Sequence, residues 1–133
     1  MTLSTLSVFA DSASIWFMLA FGAFLAAVFL VAAILLESLV LKLLKWNGYW
    51  RSLWASLLMN LASALIGGPL MLYLAIDSIA ALPLAWAVSV IIEGGVLVLM
   101  KRGGGRQNWT AAIVANLASY ILLVVPPMVL TSL

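Results

Sequence analysis

At 133 residues, 67% hydrophobic and 8% charged, with a mean hydropathy of +1.28, the chain has too few polar groups to cover a water-soluble core. It contains no cysteine and no histidine, which excludes disulfides, Cys or His metal centres and the usual axial ligands of haem and chlorophyll, so no cofactor is expected. The formal net charge of +2 comes from basic residues in short turns and gives no argument for nucleic-acid binding.

Taken in chain order, the start Met1-Thr2-Leu3-Ser4 lacks the positive region of a signal peptide, so the first apolar run is read as a retained helix. Leu3, Leu6 and Phe9 have a spacing that suits a short interfacial helix, with a disordered start as the other reading. Four spans follow: Ser14 to Leu36, with a helical pattern that can run on to Trp46; Ser52 to Leu74; Ile79 to Met100; and Trp109 to Thr131. Each has the roughly 20 residues needed to cross a hydrocarbon layer. Uninterrupted apolar runs favour helices over barrel strands, because lipid offers no partner to backbone N–H and C=O groups. Ile66-Gly67-Gly68-Pro69 should kink the second helix and Val125-Pro126-Pro127 the fourth, whereas Pro83 suits the first turn of the third.

All six basic residues fall in two turns, Lys42, Lys45 and Arg51 in one and Lys101, Arg102 and Arg106 in the other. The positive-inside rule makes both turns cytoplasmic and both termini external, with Asp11 and Asp77 outside. Trp46, Trp50, Trp54 and Trp109 fall near the inner interface, and Trp16, Phe17 and Tyr73 near the outer one. Trp46, Tyr49, Trp50 and Arg51 make the first turn aromatic and basic, a candidate membrane anchor or docking patch. Gly103-Gly104-Gly105 in the second turn has neither the following Lys-Ser or Lys-Thr nor the preceding strand of a phosphate loop, and reads as a flexible connection.

A repeat organises the chain. Positions 37 to 63 align without gaps on 93 to 119, an offset of 56, and Glu37, Lys45, Asn60 and Ser63 meet Glu93, Lys101, Asn116 and Ser119. The expectation is an all-α, integral membrane four-helix bundle in one transmembrane domain, residues 1–133, built from two parallel-repeat transmembrane hairpins, about 14–74 and 79–131. Counting 1.5 Å per residue from the basic turns places Glu37, Asn60, Glu93 and Asn116 at one level, about 12 to 14 Å from the basic residues. Stripes of small residues at helical spacing, Gly22-Ala26-Ala33-Glu37, Ser56-Asn60-Ser63-Gly67, Ala85-Ser89-Glu93 and Ala112-Asn116-Ser119, suggest that this polar layer faces inward.

A carboxylate at such depth is normally paired, protonated or functional. One reading is that each Glu accepts a hydrogen bond from the Asn of its own or the other hairpin, or reaches a turn Lys or Arg, fixing helix register, with Ser63 and Ser119 as supporting residues of the layer. The other is a proton or cation site with the glutamates as carriers and the asparagines as neutral ligands, and a third is contact with a basic group on another subunit. Enzymatic chemistry has no support, since no histidine can activate the many serines and no polar cleft is implied. In size and helix number the chain is similar in outline to small multidrug exporters, but those carry their key carboxylate in the first helix and lack this Glu and Asn duplication. The expected function is a structural or accessory subunit of a larger membrane complex, respiratory or photosynthetic in type, or a homo-oligomer. A small transporter or channel is the alternative. Its expected partners are membrane lipids and other membrane-protein subunits or itself, and its expected location is the bacterial cytoplasmic (inner) membrane.

Overall fold

The computed structural model describes residues 3–74 and 81–124, with side chains described at 15–74 and 82–123. Helix α1 runs Leu3–Leu43, α2 Tyr49–Ala62, α3 Gly68–Leu74, α4 Ala81–Met100 and α5 Gly105–Ser119. A π-helical turn, Ser63–Gly67, joins α2 to α3 in one rod, and a second, Tyr120–Val124, extends α5. The fold is all-α, with four helical rods and no strand among the described residues. Three of them, over Ile15–Leu43, Tyr49–Leu74 and Leu82–Met100, are long and apolar enough to cross a membrane.

Helix boundaries differ from the sequence expectation in instructive ways. Helix α1 begins eleven residues before Ser14, continuing through the Leu3, Leu6 and Phe9 segment instead of breaking after it. No proline or glycine precedes Gly22, so nothing in the backbone chemistry stops it. Helices α2 and α5 also start earlier than Ser52 and Trp109, at Tyr49 and Gly105. Asp77, Ile79 and Val125-Pro126-Pro127 lie outside the described residues, as does the expected end of the fourth span.

The second rod is not simply broken at its glycines and proline. Pro69 has no N–H to donate and its ring crowds the preceding turn. The backbone instead widens into the π turn that ends at Gly67 and resumes α-helical geometry at Gly68. This turn starts at Ser63, six positions before Pro69, and the other π turn starts at Tyr120, six positions before Pro126.

Two compact units make up the chain, Met1–Val31 and Ala32–Leu133. In the first, α1 stands as a single helix whose side chains from Ile15 to Phe29 are exposed on every face. Gly22 and Ala26, placed by the sequence on an inward stripe, are exposed with the rest, and a methyl group at Gly22 would meet nothing within 4 Å. A helix apolar all round suits an apolar surrounding.

The second unit contains the core, in which Leu41, Trp46, Ala55, Met59, Leu97, Ala111 and Ala112 are buried together. Helix α4 packs against both α2 and α5. At one point the approach is close enough to require glycine: a Cβ on Gly94 would collide with the Trp109 ring. The indole occupies the space where every other residue would carry its side chain.

The end of α1 explains how Trp46 enters this core. Lys45 takes the left-handed conformation, φ 53°, and its N–H bonds to the Lys42 carbonyl at 2.9 Å while that of Trp46 bonds to the Leu41 carbonyl at 3.0 Å. This is the Schellman closure with lysine where glycine is usual, and its accompanying apolar contact joins Trp46 to Leu41. Trp46 is 1% exposed, which removes it from the docking patch expected at the first turn. Tyr49, Trp50 and Arg51 of that patch are exposed, as is the neighbouring Trp54.

Candidate functional site

Glu37 and Asn60 are placed together by arithmetic as much as by chemistry. Glu37 lies eleven residues before Gly48 and Asn60 twelve after it, and Glu93 and Asn116 stand at the same distances from Gly104. Gly48 and Gly104 precede the first residues of α2 and α5, so each Glu meets the Asn of the returning helix at its own level.

Asn60 Nδ2 donates to Glu37 Oε2 at 2.6 Å, and Asn116 Nδ2 donates to Glu93 Oε2. The serines cross over. Ser63 Oγ donates to Glu93 Oε1 at 2.7 Å, whereas Ser119 Oγ donates to Glu37 Oε1 at 2.9 Å. In a helix, residues three apart point about 60° apart, so the Asn and Ser of one helix can serve acceptors on two neighbours. The result is a reciprocal set of bonds among α1, the second rod, α4 and the end of α5. Ser56 Oγ adds a further donor to Glu37 Oε2, at 3.1 Å. Glu37, Glu93, Ser56 and Asn116 are buried; Asn60 and Ser63 are half-buried.

Amide orientation limits what this cluster can do. Each Asn Nδ2 also donates to the carbonyl four residues earlier, Asn60 to Ser56 O at 3.0 Å and Asn116 to Ala112 O at 3.2 Å. A carbonyl accepts and cannot donate, so nitrogen must be the atom on that side. The carboxylates are therefore faced by N–H and O–H donors, and the amide oxygens that a cation would need are turned away from them. No Lys or Arg pairs with either Glu, and no group of three metal-binding side chains occurs, among the described residues.

A second polar network closes the basic end. Trp46 Nε1 donates to Asn108 Oδ1 at 2.7 Å, and Asn108 Nδ2 donates to the Lys101 carbonyl at 2.8 Å. Lys101 Nζ reaches the Trp46 carbonyl and Gln107 Oε1, each at 2.8 Å, while Gln107 Nε2 donates to the Lys45 carbonyl at 3.3 Å. Arg51 donates to the Met100 carbonyl at 3.1 Å. Carbonyls at the ends of α1 and α4 have no intrahelical partner, and these side chains supply one. Lys101 and Arg51 thus have a structural task besides carrying charge.

Hydropathy alone does not single out Asn108 and Gln107, which sit just outside the span expected to start at Trp109. One sequence signal does point to Asn108: it is related to Ser52 by the offset of 56, and both are polar residues in the fourth position of their helices. Both are fully buried. Of the exposed first-turn residues, Lys42 Nζ sits 5.5 Å from the Tyr49 ring centroid, and the Tyr49 and Trp50 rings meet edge to face at 5.7 Å.

Comparison with family models, curated proteins and solved structures returns no match for this chain.

Proposed function

We propose that the protein is a multi-pass membrane protein of the bacterial cytoplasmic membrane, acting as a structural or accessory subunit of a larger membrane complex or of a homo-oligomer. In this reading both basic turns face the cytoplasm and both termini face outward, and the Glu, Asn and Ser cluster is a clamp between two related hairpins. The observation that carries it is donor saturation: every polar group facing Glu37 and Glu93 gives a hydrogen bond, with none of the amide oxygens presented that ion coordination would use. The exposed apolar length of α1 in the first unit supplies area for lipid or for another membrane helix.

Extraction of the native membrane in mild detergent, followed by native electrophoresis and identification of co-migrating chains, tests the reading. Co-migration with defined subunits or as a discrete homo-oligomer is expected; migration as a lone monomer contradicts it. The alternative, a small proton or cation transporter, draws on the burial of two carboxylates without a basic partner among the described residues. It predicts flux in liposomes that disappears in the Glu37→Gln/Glu93→Gln variant, whereas the accessory reading predicts no flux from either protein.

A further inference from the structure

We propose that the cleft between the end of α1 and the start of α5 binds the headgroup of an anionic phospholipid. The proposal rests on the membrane placement given above and not on the accessory role.

The cleft has a volume of about 490 Å³ and is lined by Leu44, Arg106, Gln107, Thr110 and Ala111. Its chemistry divides by height. Arg106 and Thr110 are exposed, on one face of α5 at a spacing of four residues, and neither makes a side-chain hydrogen bond among the described residues. Gln107 is held in place, its oxygen accepting from Lys101 and its nitrogen donating to the Lys45 carbonyl. Those bonds bring the backbone of Lys45, itself exposed and next to Leu44, against the same rim.

Farther along α5, Ile113 and Leu117 continue the face begun by Arg106 and Thr110, and both are exposed, as is Ile121 in the π turn beyond. A guanidinium and a hydroxyl above an apolar stripe match a phosphate above an acyl chain. Charge complementarity selects an anionic lipid over a zwitterionic one. All six basic residues lie in or beside the two turns before α2 and α5, with no acidic residue between Lys42 and Arg51 or between Lys101 and Arg106. Lys101 and Arg51 are committed to helix-end carbonyls, and Arg106 is the cation that lines the cleft.

Native mass spectrometry of the full chain in mild detergent, titrated with phosphatidylglycerol or phosphatidylcholine, tests this site. Phosphatidylglycerol adducts should exceed phosphatidylcholine adducts, and Arg106→Gln should weaken them about fivefold, the ratio one basic residue supplies near an anionic surface. Arg102→Gln, a change at the same end but outside the cleft, should leave them unchanged. Thr110→Val gives a second variant with no change in charge and should also weaken binding, while circular dichroism confirms retained helix for each variant. Equal binding of the two lipids overturns the proposal, as does loss in Arg102→Gln as large as in Arg106→Gln. Equally tight binding of water-soluble glycerophosphoglycerol would overturn the acyl-chain part. Failure of the protein to float with membranes would instead strike at the placement on which the proposal rests.

Discussion

Glu37 and Glu93 stand at equivalent positions, yet the first accepts three side-chain hydrogen bonds and the second two. The difference is one oxygen atom: Ser56 donates to Glu37, and the residue 56 positions later is Ala112. A second inequality lies one residue farther on. Ser38 is buried and donates to the Leu35 carbonyl at 2.8 Å, whereas its counterpart Gly94 has no side chain because the Trp109 ring fills that space. The Glu37 half is held by hydrogen bonds where the Glu93 half is held by an indole packed on a glycine. The same polar cluster is thus supported by two kinds of packing.

Four pairs of substitutions break or sharpen that comparison. The largest effect is expected at the carboxylates. Glu37→Ala strands three donors and Glu93→Ala two, so the first should destabilise more, by about 1–3 kcal/mol for each donor left without a partner and less where a backbone carbonyl remains within reach; thermal unfolding in detergent should register it. Next comes Gly94→Ala, which forces Trp109 out of its site; overpacking of this kind costs about 1–3 kcal/mol. Ser38→Gly at the matching position should cost less than Gly94→Ala, since it removes a small group instead of inserting one.

A smaller effect is expected at the serine that distinguishes the halves. Ser56→Ala should lower stability by about 1 kcal/mol, and Ala112→Ser should offer Glu93 the donor it lacks and narrow the gap between the two halves. The smallest lies at the turns. Lys45 carries a left-handed backbone that glycine adopts without strain, so Lys45→Gly should stabilise by up to about 1 kcal/mol. Gly103, at φ 89°, should lose a similar amount on replacement by alanine. Chemical or thermal melts of the paired variants check both signs.

The polar cluster is partly legible in the sequence. The spacing of Glu, Asn and Ser about two glycine turns is written there, and helical rise converts it into a common level. What spacing cannot reveal is the exchange of partners, in which Ser63 serves Glu93 and Ser119 serves Glu37, because that depends on which helices are neighbours around the cluster. Trp46 misleads for a physical reason. A tryptophan beside basic residues at a helix end has the composition of an interface anchor, and only the left-handed turn at Lys45 carries it into the core. Hydropathy sets helix ends several residues short wherever polar residues such as Arg51, Gln107 and Asn108 begin them, since it marks the apolar length and not the hydrogen-bonded one.

The clamp is tested most directly by thermal unfolding, in mild detergent, of Glu37→Gln/Glu93→Gln beside Glu37→Ala/Glu93→Ala. A glutamine keeps one oxygen for the Asn amide and turns its NH₂ toward the serine, which can accept through its hydroxyl oxygen; the single proton of Ser119, released from Glu37, has the Asn116 carbonyl 3.0 Å away to turn to. The account predicts that the Gln pair unfolds within a few degrees of the unaltered protein and that the Ala pair unfolds far lower. A Gln pair that falls as far as the Ala pair would contradict it, because the carboxylate charge, and not the hydrogen-bond geometry, would then hold the helices together.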